Sequence, residues 1–377
     1  MNGIGYSDPG RLPSDEQRLM IEAALMRGPR AREAALSWLA TADIARLGKA
    51  SRRLLPLLCE RFRLEGLEHP FLPVLKGVKR HTWYNNRLLF NKIEPVIRVL
   101  REAGIDVMVI KGAALTIEYY RDYSLRPMED VDLLVRTEDA SAAMDVLYRQ
   151  GWKTKKIQGG LRKRLLQYMH ALHFWHPSGH DLDLHWHMLP FCVEPNADAD
   201  FWAASKEVTF ESQTVRVLDP ADQLLHICAH GAAWDIIAPV RWIPDAVAVL
   251  QGASRINWER LLLQTRRRKL TLLVRGALNY INRTLGALVP ADVLREINRL
   301  DVSIFEKWEY RWLLKPCDDL LGVFPRDLCM FWRMSQSKTS GNAALRFPDY
   351  LCALWQVDRT SQLPVVFCKK AWRNIFA

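Results

Sequence analysis

The chain has 377 residues, of which 49% are hydrophobic and 25% are charged, proportions that are typical of ordinary globular proteins. This length permits two or three domains, and the lack of any run of about 18 apolar residues argues against a membrane span. The formal net charge of +11 suits a polyanionic partner, such as a nucleotide, a nucleic acid or an acidic membrane surface. A general abundance of arginine along the chain explains the same charge equally well.

Seven cysteines are scattered along the sequence without CxxC pairs. An odd and dispersed set is typical of reduced thiols and not of a disulfide framework. The first residues lack the charged-then-apolar order of a secretory signal. We therefore expect a cytoplasmic protein.

Residues 1–82 are predicted to form a helical lobe at the N-terminus. The first 13 residues are rich in Gly, Pro and Ser, and we expect them to be disordered. Helical patterns follow over residues 14–39, 44–62 and 72–80, separated by glycines and prolines. No catalytic constellation of side chains occurs in this part, so its expected role is to pack on the core.

Residues 83–218 are predicted to form the core domain. It begins with a long periodic helix that stops at Gly104. An apolar run, residues 107–110, then has the length and composition of a β-strand and ends at Lys111. The residues after Gly112 have helical spacing, so the pattern predicts a strand, a turn and a helix.

The predicted turn has the features of a phosphate-binding turn. A glycine at this position lets the backbone approach a ligand, and the first N–H groups of the helix then face an anion. Gly112 supplies the glycine, Ala113 leaves the approach open, and Lys111 adds a positive charge. We therefore expect these three residues to bind phosphate.

A second predicted strand, residues 131–135, carries Asp132 and directly follows Asp130. Residues two apart in a strand project to the same face, so both carboxylates are expected to point the same way. Two such carboxylates repel each other and lose hydration, and a bound divalent cation offsets both costs. Divalent cations of this kind serve phosphoryl and nucleotidyl transfer. From the Asp-x-Asp motif alone, an ordinary strand end with one capping and one solvated Asp remains an equally good interpretation.

Further along, residues 181–186 read DLDLHW and alternate polar with apolar side chains, as a half-buried strand does. Asp181, Asp183 and His185 are predicted to share one face of this strand. Histidines are frequent around it, and a zinc site is the alternative interpretation, although no tight spacing motif or cysteine set accompanies them. We expect His185 to lie beside the acidic site, where it could orient a carboxylate or a phosphate.

The segments VIKGAAL and RPMEDVDLLV together resemble the nucleotidyltransferase superfamily related to DNA polymerase beta, and more closely the bacterial "uncharacterised nucleotidyltransferase" family. The resemblance implies an α+β fold with a mixed sheet, Mg²⁺ or Mn²⁺ as cofactor, and a nucleoside triphosphate (NTP) as substrate. It also implies that Asp183 is the third metal-binding acid, with Asp181 as the fallback, and that Arg126 helps to hold the triphosphate. The superfamily more often has Gly-Ser or Gly-Gly at the turn, so Ala113 is a departure that removes a phosphate-binding hydroxyl.

Residues 219–377 are predicted to form a helical C-terminal domain. His226 and His230 lie four apart on its first helix, and helix packing is the alternative to a role in the site. The resemblance reaches to about residue 250, and it implies that Arg241 binds the triphosphate, for which a bidentate guanidinium is suited. The basic clusters RRRK at 266–269 and KKAWR at 369–373 could contact nucleic acid, although such runs are more often solvated helix faces.

The sequence and the resemblance together predict a metal-dependent nucleotidyltransferase that moves a nucleoside monophosphate to an acceptor. Asp130, Asp132 and Asp183 are the predicted metal ligands. The predicted nucleotide-binding residues are Lys111, Gly112, Ala113, Arg126, His185 and Arg241. Two alternatives stay open: a non-catalytic nucleotide- or partner-binding protein that retains the fold, and transfer of another phosphoryl or sugar-phosphate group. The acceptor could be a small molecule, a peptide, a protein or an RNA end.

Overall fold

In the computed structural model of the protein, the described residues are 13–155, 157, 160–233, 240–313, 320–336 and 343–376. Disorder is predicted for the first 13 residues, and all of these except residue 13 lie outside the described part of the chain. The side chains from Lys370 to the end, which include most of the second basic cluster, also lie outside it. None of the described helices combines the length and the apolar character that a membrane crossing needs.

The described α-helices follow one another along the chain. In order they are α1 (Asp15–Leu25), α2 (Pro29–Leu39), α3 (Lys49–Arg52), α4 (Leu55–Leu64), α5 (Leu72–Glu102), α6 (Lys111–Leu115), α7 (Ala140–Arg149), α8 (Leu161–Tyr168), α9 (Ala199–Ala204), α10 (Pro220–Ala233), α11 (Trp242–Gly252), α12 (Trp258–Arg267), α13 (Thr271–Leu285), α14 (Ala291–Arg299), α15 (Ile304–Leu313), α16 (Leu320–Gln336), α17 (Ala343–Leu354) and α18 (Leu363–Phe376). A π-helical turn, Thr116–Tyr120, continues α6, and short 3₁₀ turns occur at Thr137–Asp139 and Thr360–Gln362.

The described strands form one mixed sheet. They are β1 (Met108–Ile110), β2 (Asp130–Leu134), β3 (Ala171–His176), β4 (His180–His185), β5 (Lys206–Phe210) and β6 (Gln213–Val217). Their order across the sheet is β3-β4-β2-β1-β6-β5. The pairs β2–β4 and β1–β6 are parallel, and the other neighbouring pairs are antiparallel. The predicted α+β class with a mixed sheet and flanking helices is therefore confirmed.

The chain divides into two compact units. Unit 1 comprises the described residues within Met1–Phe90, Lys111–Glu129 and Asp219–Tyr310, and unit 2 comprises those within Asn91–Ile110, Asp130–Leu218 and Arg311–Ala377. The whole sheet belongs to unit 2, whereas unit 1 is built from helices. The predicted division into residues 1–82, 83–218 and 219–377 remains a prediction.

The central strands of unit 2 are buried on both faces, which explains their apolar runs. Val109 and Leu133 have no exposed surface, and only the first residue of β2 is partly exposed. At β4 the pattern alternates instead, because Leu182 and Leu184 are fully buried while Asp181 and Asp183 stay partly exposed. The period-two pattern of the sequence thus predicted the correct face of β4.

Three predicted helices differ from the structure. The separate patterns before and after residue 81 form one continuous helix, α5. The spacing of residues 257–286 predicts one helix, whereas the structure divides it into α12 and α13, because Lys269 has a positive φ of 52°, which interrupts a right-handed helix. The helix after the Lys111 turn is α-helical only to Leu115 and then becomes the π-helical turn.

In unit 1, Glu60 on α4 accepts hydrogen bonds from Arg63 and from Lys79 on α5. The Arg63 hydrogen bond is the largest cause that lowers the pKa of Glu60 from 4.5 to about 2, with the Lys79 ammonium adding to it. Because the folded pKa lies below the unfolded one, the stabilisation is present above pH 4.5 and is lost as the pH falls towards 2. We expect a loss of about 1–2 kcal/mol between pH 6 and pH 3.

Urea unfolding at both pH values checks this expectation. A Glu60→Gln variant should lose less stability on acidification than the wild type, by about that amount. A Glu33→Gln variant is the matched control, because Glu33 is an exposed helical glutamate. Equal acid sensitivity of the wild type and Glu60→Gln contradicts the assignment.

Candidate metal and phosphate sites

The two predicted acidic segments lie side by side in unit 2. Strands β2 and β4 are parallel neighbours, and Asp132 is directly paired in register with Asp183. The same register pairs Asp130 with Asp181 and Leu134 with His185. A one-residue shift of either strand would turn its carboxylates to the opposite face, so the buried leucines between the acids also fix where the acids point.

Three side chains of this face form a group with metal-ligand spacing. One ligand atom from each of Asp132, Asp183 and His185 lies within 4.8 Å of the other two. Asp132 is 5% exposed and His185 is 1% exposed. Two carboxylates that meet in such a setting need positive charge or hydrogen-bond donors close by.

Two histidines supply hydrogen bonds to these acids. His185 donates from Nε2 to Oδ1 of Asp132 over 3.0 Å, and this pair is buried. His173 stands opposite Asp183 on the antiparallel strand β3 and donates from Nδ1 to its Oδ1 over 2.8 Å. The Nε2 atom of His173 also lies 3.7 Å from Oδ1 of Asp181. Each acid of the in-register pair is therefore held by its own imidazole.

The donor set fits a divalent cation. Carboxylate oxygens suit Mg²⁺ and Mn²⁺, whereas imidazole favours softer transition metals. Because His185 already donates to Asp132, its arrangement matches that of a residue that orients a metal-ligating carboxylate. His173 stands in the same relation to Asp183.

Asp130, the third predicted metal ligand, has a different position. It lies at the start of β2, two residues before Asp132 on the same face, and it is half-buried. Among the described residues, the group with metal-ligand spacing does not include Asp130. Its role as a ligand remains a prediction.

The other histidines of this region make separate contacts in pairs. The ring centroid of His170 lies 5.4 Å from that of His185, and His176 is paired with His180 in the β3–β4 hairpin. His176 contacts Ser178 at the β3–β4 turn, and His187 donates from Nδ1 to the buried carboxylate of Asp198 over 3.0 Å. No group of three histidines with metal-ligand spacing occurs in the described part of the chain. A zinc site built from histidines alone therefore has no support from the positions of the described side chains.

In unit 1, the predicted phosphate-binding cations line one small cavity of about 40 Å³. Lys111, Arg126 and Arg241 contribute to its wall, and so do both histidines of α10. His226 is buried, and its ring centroid lies 5.4 Å from that of His230. The cavity is thus lined by three cationic and two imidazole side chains and by one carboxylate, that of Asp245.

Arg126 is fixed in this wall by a buried ion pair. Its Nε and Nη2 atoms donate to the two carboxylate oxygens of Asp245 over 2.8 and 2.9 Å. The hydroxyl of Tyr120 donates to the same carboxylate over 2.9 Å. Burial of this hydroxyl, together with the neighbouring carboxylate, raises the pKa of Tyr120 well above its usual value, so the phenol stays protonated and donates.

Gly112 has a packing role in addition to the predicted backbone approach to a phosphate. A Cβ atom at this position would lie 2.3 Å from Nη1 of Arg126 and 3.0 Å from Sδ of Met128. Gly112 and Ala113 are both buried, and Lys111 has a positive φ of 50°. The turn therefore makes room for the Arg126 guanidinium. Contact of Gly112 and Ala113 with phosphate remains a prediction.

Gly231, which follows His230, has a similar packing role. A Cβ atom there would lie 2.2 Å from Cβ of Trp242. This close approach lets α11 pack against α10 and brings Arg241, the residue before α11, to the wall of the cavity. The glycine thus explains how the consecutive helices α10 and α11 approach closely enough for His230 and Arg241 to line the same wall.

A family model described as "Uncharacterised nucleotidyltransferase" matches residues 38–286, which is more than half of the chain. The chain belongs to this nucleotidyltransferase family. The match confirms the family suggested by the sequence motifs, and it includes both the acidic group of unit 2 and the cation-lined cavity of unit 1. No curated protein matches the chain significantly in sequence.

Among solved structures, this nucleotidyltransferase-family chain is similar to an antigenic nucleotidyltransferase-like protein from Paracoccidioides brasiliensis. The two chains share 16% sequence identity, with a TM-score of 0.37. The similarity covers 57% of this chain and 94% of the other.

Two residues of these candidate sites received no specific role from the sequence. His173 was visible only as one of several histidines, and its contact with Asp183 follows from the β3–β4 register. Asp245 stands 119 residues from Arg126, and no local pattern links the two. The pairing of the hairpin could have suggested His173, whereas nothing in the sequence signals the Arg126–Asp245 pair.

Proposed function

We propose that the protein is a metal-dependent nucleotidyltransferase that transfers a nucleoside monophosphate from an NTP to an acceptor and releases pyrophosphate. The observation that carries this proposal is the in-register pair Asp132–Asp183 with His185, whose ligand atoms lie within 4.8 Å of one another. Membership of the nucleotidyltransferase family supports it. A cytoplasmic location, as expected from the composition, belongs to the same proposal.

The acids of unit 2 are the proposed metal ligands. Asp132 and Asp183 carry the role, and Asp130 is proposed as the third carboxylate. A bound Mg²⁺ or Mn²⁺ would neutralise charge on the phosphate oxygens of the nucleotide. His185 and His173 hold the two in-register carboxylates in place, so the acids do not have to reorganise when a substrate binds.

The cations of unit 1 are the proposed triphosphate contacts. Lys111 and Arg241 supply positive charge, and Arg126 presents a guanidinium whose orientation is set by Asp245. Gly112 and Ala113 complete the proposed contacts at the turn, and His185 is proposed to act through Asp132. In this family-based assignment, the protein catalyses the reaction mainly by positioning the reactants and neutralising charge. Phosphoryl transfer requires few covalent steps from the protein itself.

The first test separates nucleotidyl transfer from phosphoryl transfer. The protein is incubated with Mg²⁺ or Mn²⁺, candidate acceptors and an NTP labelled on either the α- or the γ-phosphate. Label from the α-phosphate, but not from the γ-phosphate, is expected to appear on an acceptor, with release of pyrophosphate. Transfer of the γ-label instead would contradict the proposal. Binding of NTP without any transfer would favour the non-catalytic alternative.

His173 offers a prediction about metal affinity. Replacing it by Ala removes the hydrogen bond that holds Asp183, so Mn²⁺ is expected to bind about 10–100-fold less tightly. Free Mn²⁺ is measured by electron paramagnetic resonance during a titration of the protein. His176→Ala is the control, because His176 lies on the same strand and contacts Ser178 at the turn. Unchanged Mn²⁺ affinity in His173→Ala would remove this positioning role.

A further inference from the structure

One face of α5 carries basic and aromatic side chains at helical spacing. Lys76, Arg80, Trp83, Tyr84 and Arg87 stand at positions i, i+4, i+7, i+8 and i+11, which places them within an arc of about 100° on an α-helix. Trp83 is 48% exposed and Tyr84 is 59% exposed, and the two cations before them are exposed as well. We name these five residues the α5 face. All of them belong to unit 1.

The α5 face carries three cationic side chains and no acidic one. No Asp or Glu occurs in the sequence between Glu68 and Glu94. Of the acids beside the face, Glu60 pairs with Lys79, and Asp122 lies 3.7 Å from the same lysine. Glu68 lines the same cavity as Lys76, Arg80 and Trp83. The salt bridges of the described residues include neither Lys76 nor Arg80. Lys76 and Arg80 are therefore the cations that the face offers to a partner from outside the protein.

The aromatic residues define the chemistry of that partner more narrowly than charge does. Large aromatic side chains exposed on a helix leave flat apolar surface in water, which a planar partner can cover. The side chain of Arg87 is held in position on this face, because its guanidinium lies 4.9 Å from the ring centroid of Tyr123. A partner with flat rings and a regularly spaced negative charge fits both features.

We propose that the α5 face binds single-stranded nucleic acid. Bases would stack on Trp83 and Tyr84, and backbone phosphates would contact Lys76, Arg80 and Arg87, as in other proteins that combine stacking residues with cations. Eleven residues of helix span about 16 Å, which corresponds to two or three nucleotides of an extended strand. An acidic protein would satisfy the charges but would not use the exposed faces of both rings. This inference does not depend on the proposed transfer reaction.

Binding is measured with the full chain and a fluorescein-labelled ten-nucleotide RNA of mixed sequence, by fluorescence anisotropy at several KCl concentrations. The wild type is expected to bind, with affinity that falls as salt rises because condensed counterions are released. A duplex of the same length is expected to bind less tightly, because its bases are already stacked. An Asp132→Asn/Asp183→Asn variant is expected to bind the RNA as the wild type does, which separates this inference from the proposed activity.

The charge contribution is tested with a matched pair of double variants. Lys76→Gln/Arg80→Gln is expected to make the salt dependence weaker. The negative slope of log K against log salt should decrease in magnitude by about 1.4, since each phosphate contact on a single strand contributes about 0.7. The control is Arg295→Gln/Arg299→Gln, which also removes two exposed cations four residues apart on a helix of unit 1. An equal loss of slope in both variants would overturn the assignment to the α5 face.

The stacking contribution is tested separately. Trp83→Ala is expected to weaken RNA binding about tenfold or more, and Trp83→Phe is expected to retain most of it. Trp332→Ala serves as the control, because Trp332 is 52% exposed on another helix. Equal thermal melting of all variants verifies that they are folded.

Besides an equal loss of slope in the two double variants, three kinds of result would overturn the inference. The first is no binding of the single-stranded RNA by the wild type. The second is full binding by Trp83→Ala, or duplex binding as tight as single-strand binding, because either result would mean that the bases do not stack. The third is displacement of the RNA by polyglutamate at equal charge concentration, which would indicate an acidic protein partner.

Discussion

Replacing Asp132 by Asn is expected to lower nucleotidyl transfer by about 10²–10³-fold or more, because the change removes a preorganised negative charge from the proposed metal site. The amide keeps the shape of the side chain, and its oxygen can still accept the hydrogen bond from His185. The fold should therefore survive. Asp183→Asn is expected to behave in the same way, since its register position is equivalent.

The measurement is kcat/KM for α-phosphate transfer, together with a Mn²⁺ titration of each variant. Asp181→Asn is the matched control, because Asp181 lies on the same face of β4 but outside the group with metal-ligand spacing. It should reduce activity only slightly. Full activity in an Asp132→Asn/Asp183→Asn variant would disprove the assignment of both acids. An equal loss in Asp181→Asn would show that Asp181 also serves as a metal-site carboxylate.

The second large effect concerns stability. Asp245→Ala is expected to destabilise the protein by about 3–5 kcal/mol, because it leaves the Arg126 guanidinium buried without its carboxylate. Both side chains are less than 10% exposed, so water cannot readily replace the lost partner. Loss of this carboxylate also removes the acceptor of the Tyr120 hydroxyl.

Urea unfolding of a small variant set tests this account. Tyr120→Phe removes one hydrogen bond and keeps the ion pair, so it should cost only about 1 kcal/mol. The double variant Arg126→Met/Asp245→Leu replaces both charges by apolar groups, and it should be more stable than Asp245→Ala alone. If Asp245→Ala and Tyr120→Phe cost the same, the buried pair does not contribute as the structure indicates.

The fold was largely predictable from the sequence because its signals are local. The apolar runs of β1 and β2 and the alternation at Asp181–Leu184 identified the strands and their faces, since side-chain direction in a strand has a period of two. The division of α12 from α13 was not predicted. It depends on a single left-handed residue, Lys269, in a segment whose helical spacing continues without a break.

The sequence by itself determined which carboxylates share a face of β2 or of β4, and its motifs indicated the nucleotidyltransferase family that the family match confirms. Only the tertiary structure decided that Asp132 stands in register with Asp183, that His173 and His185 hold these acids, and that Arg126 pairs with Asp245. The physical reason is distance along the chain. Strand register and buried ion pairs depend on how remote segments pack, and residues 51 or 119 positions apart leave no periodic trace of their contact in the sequence.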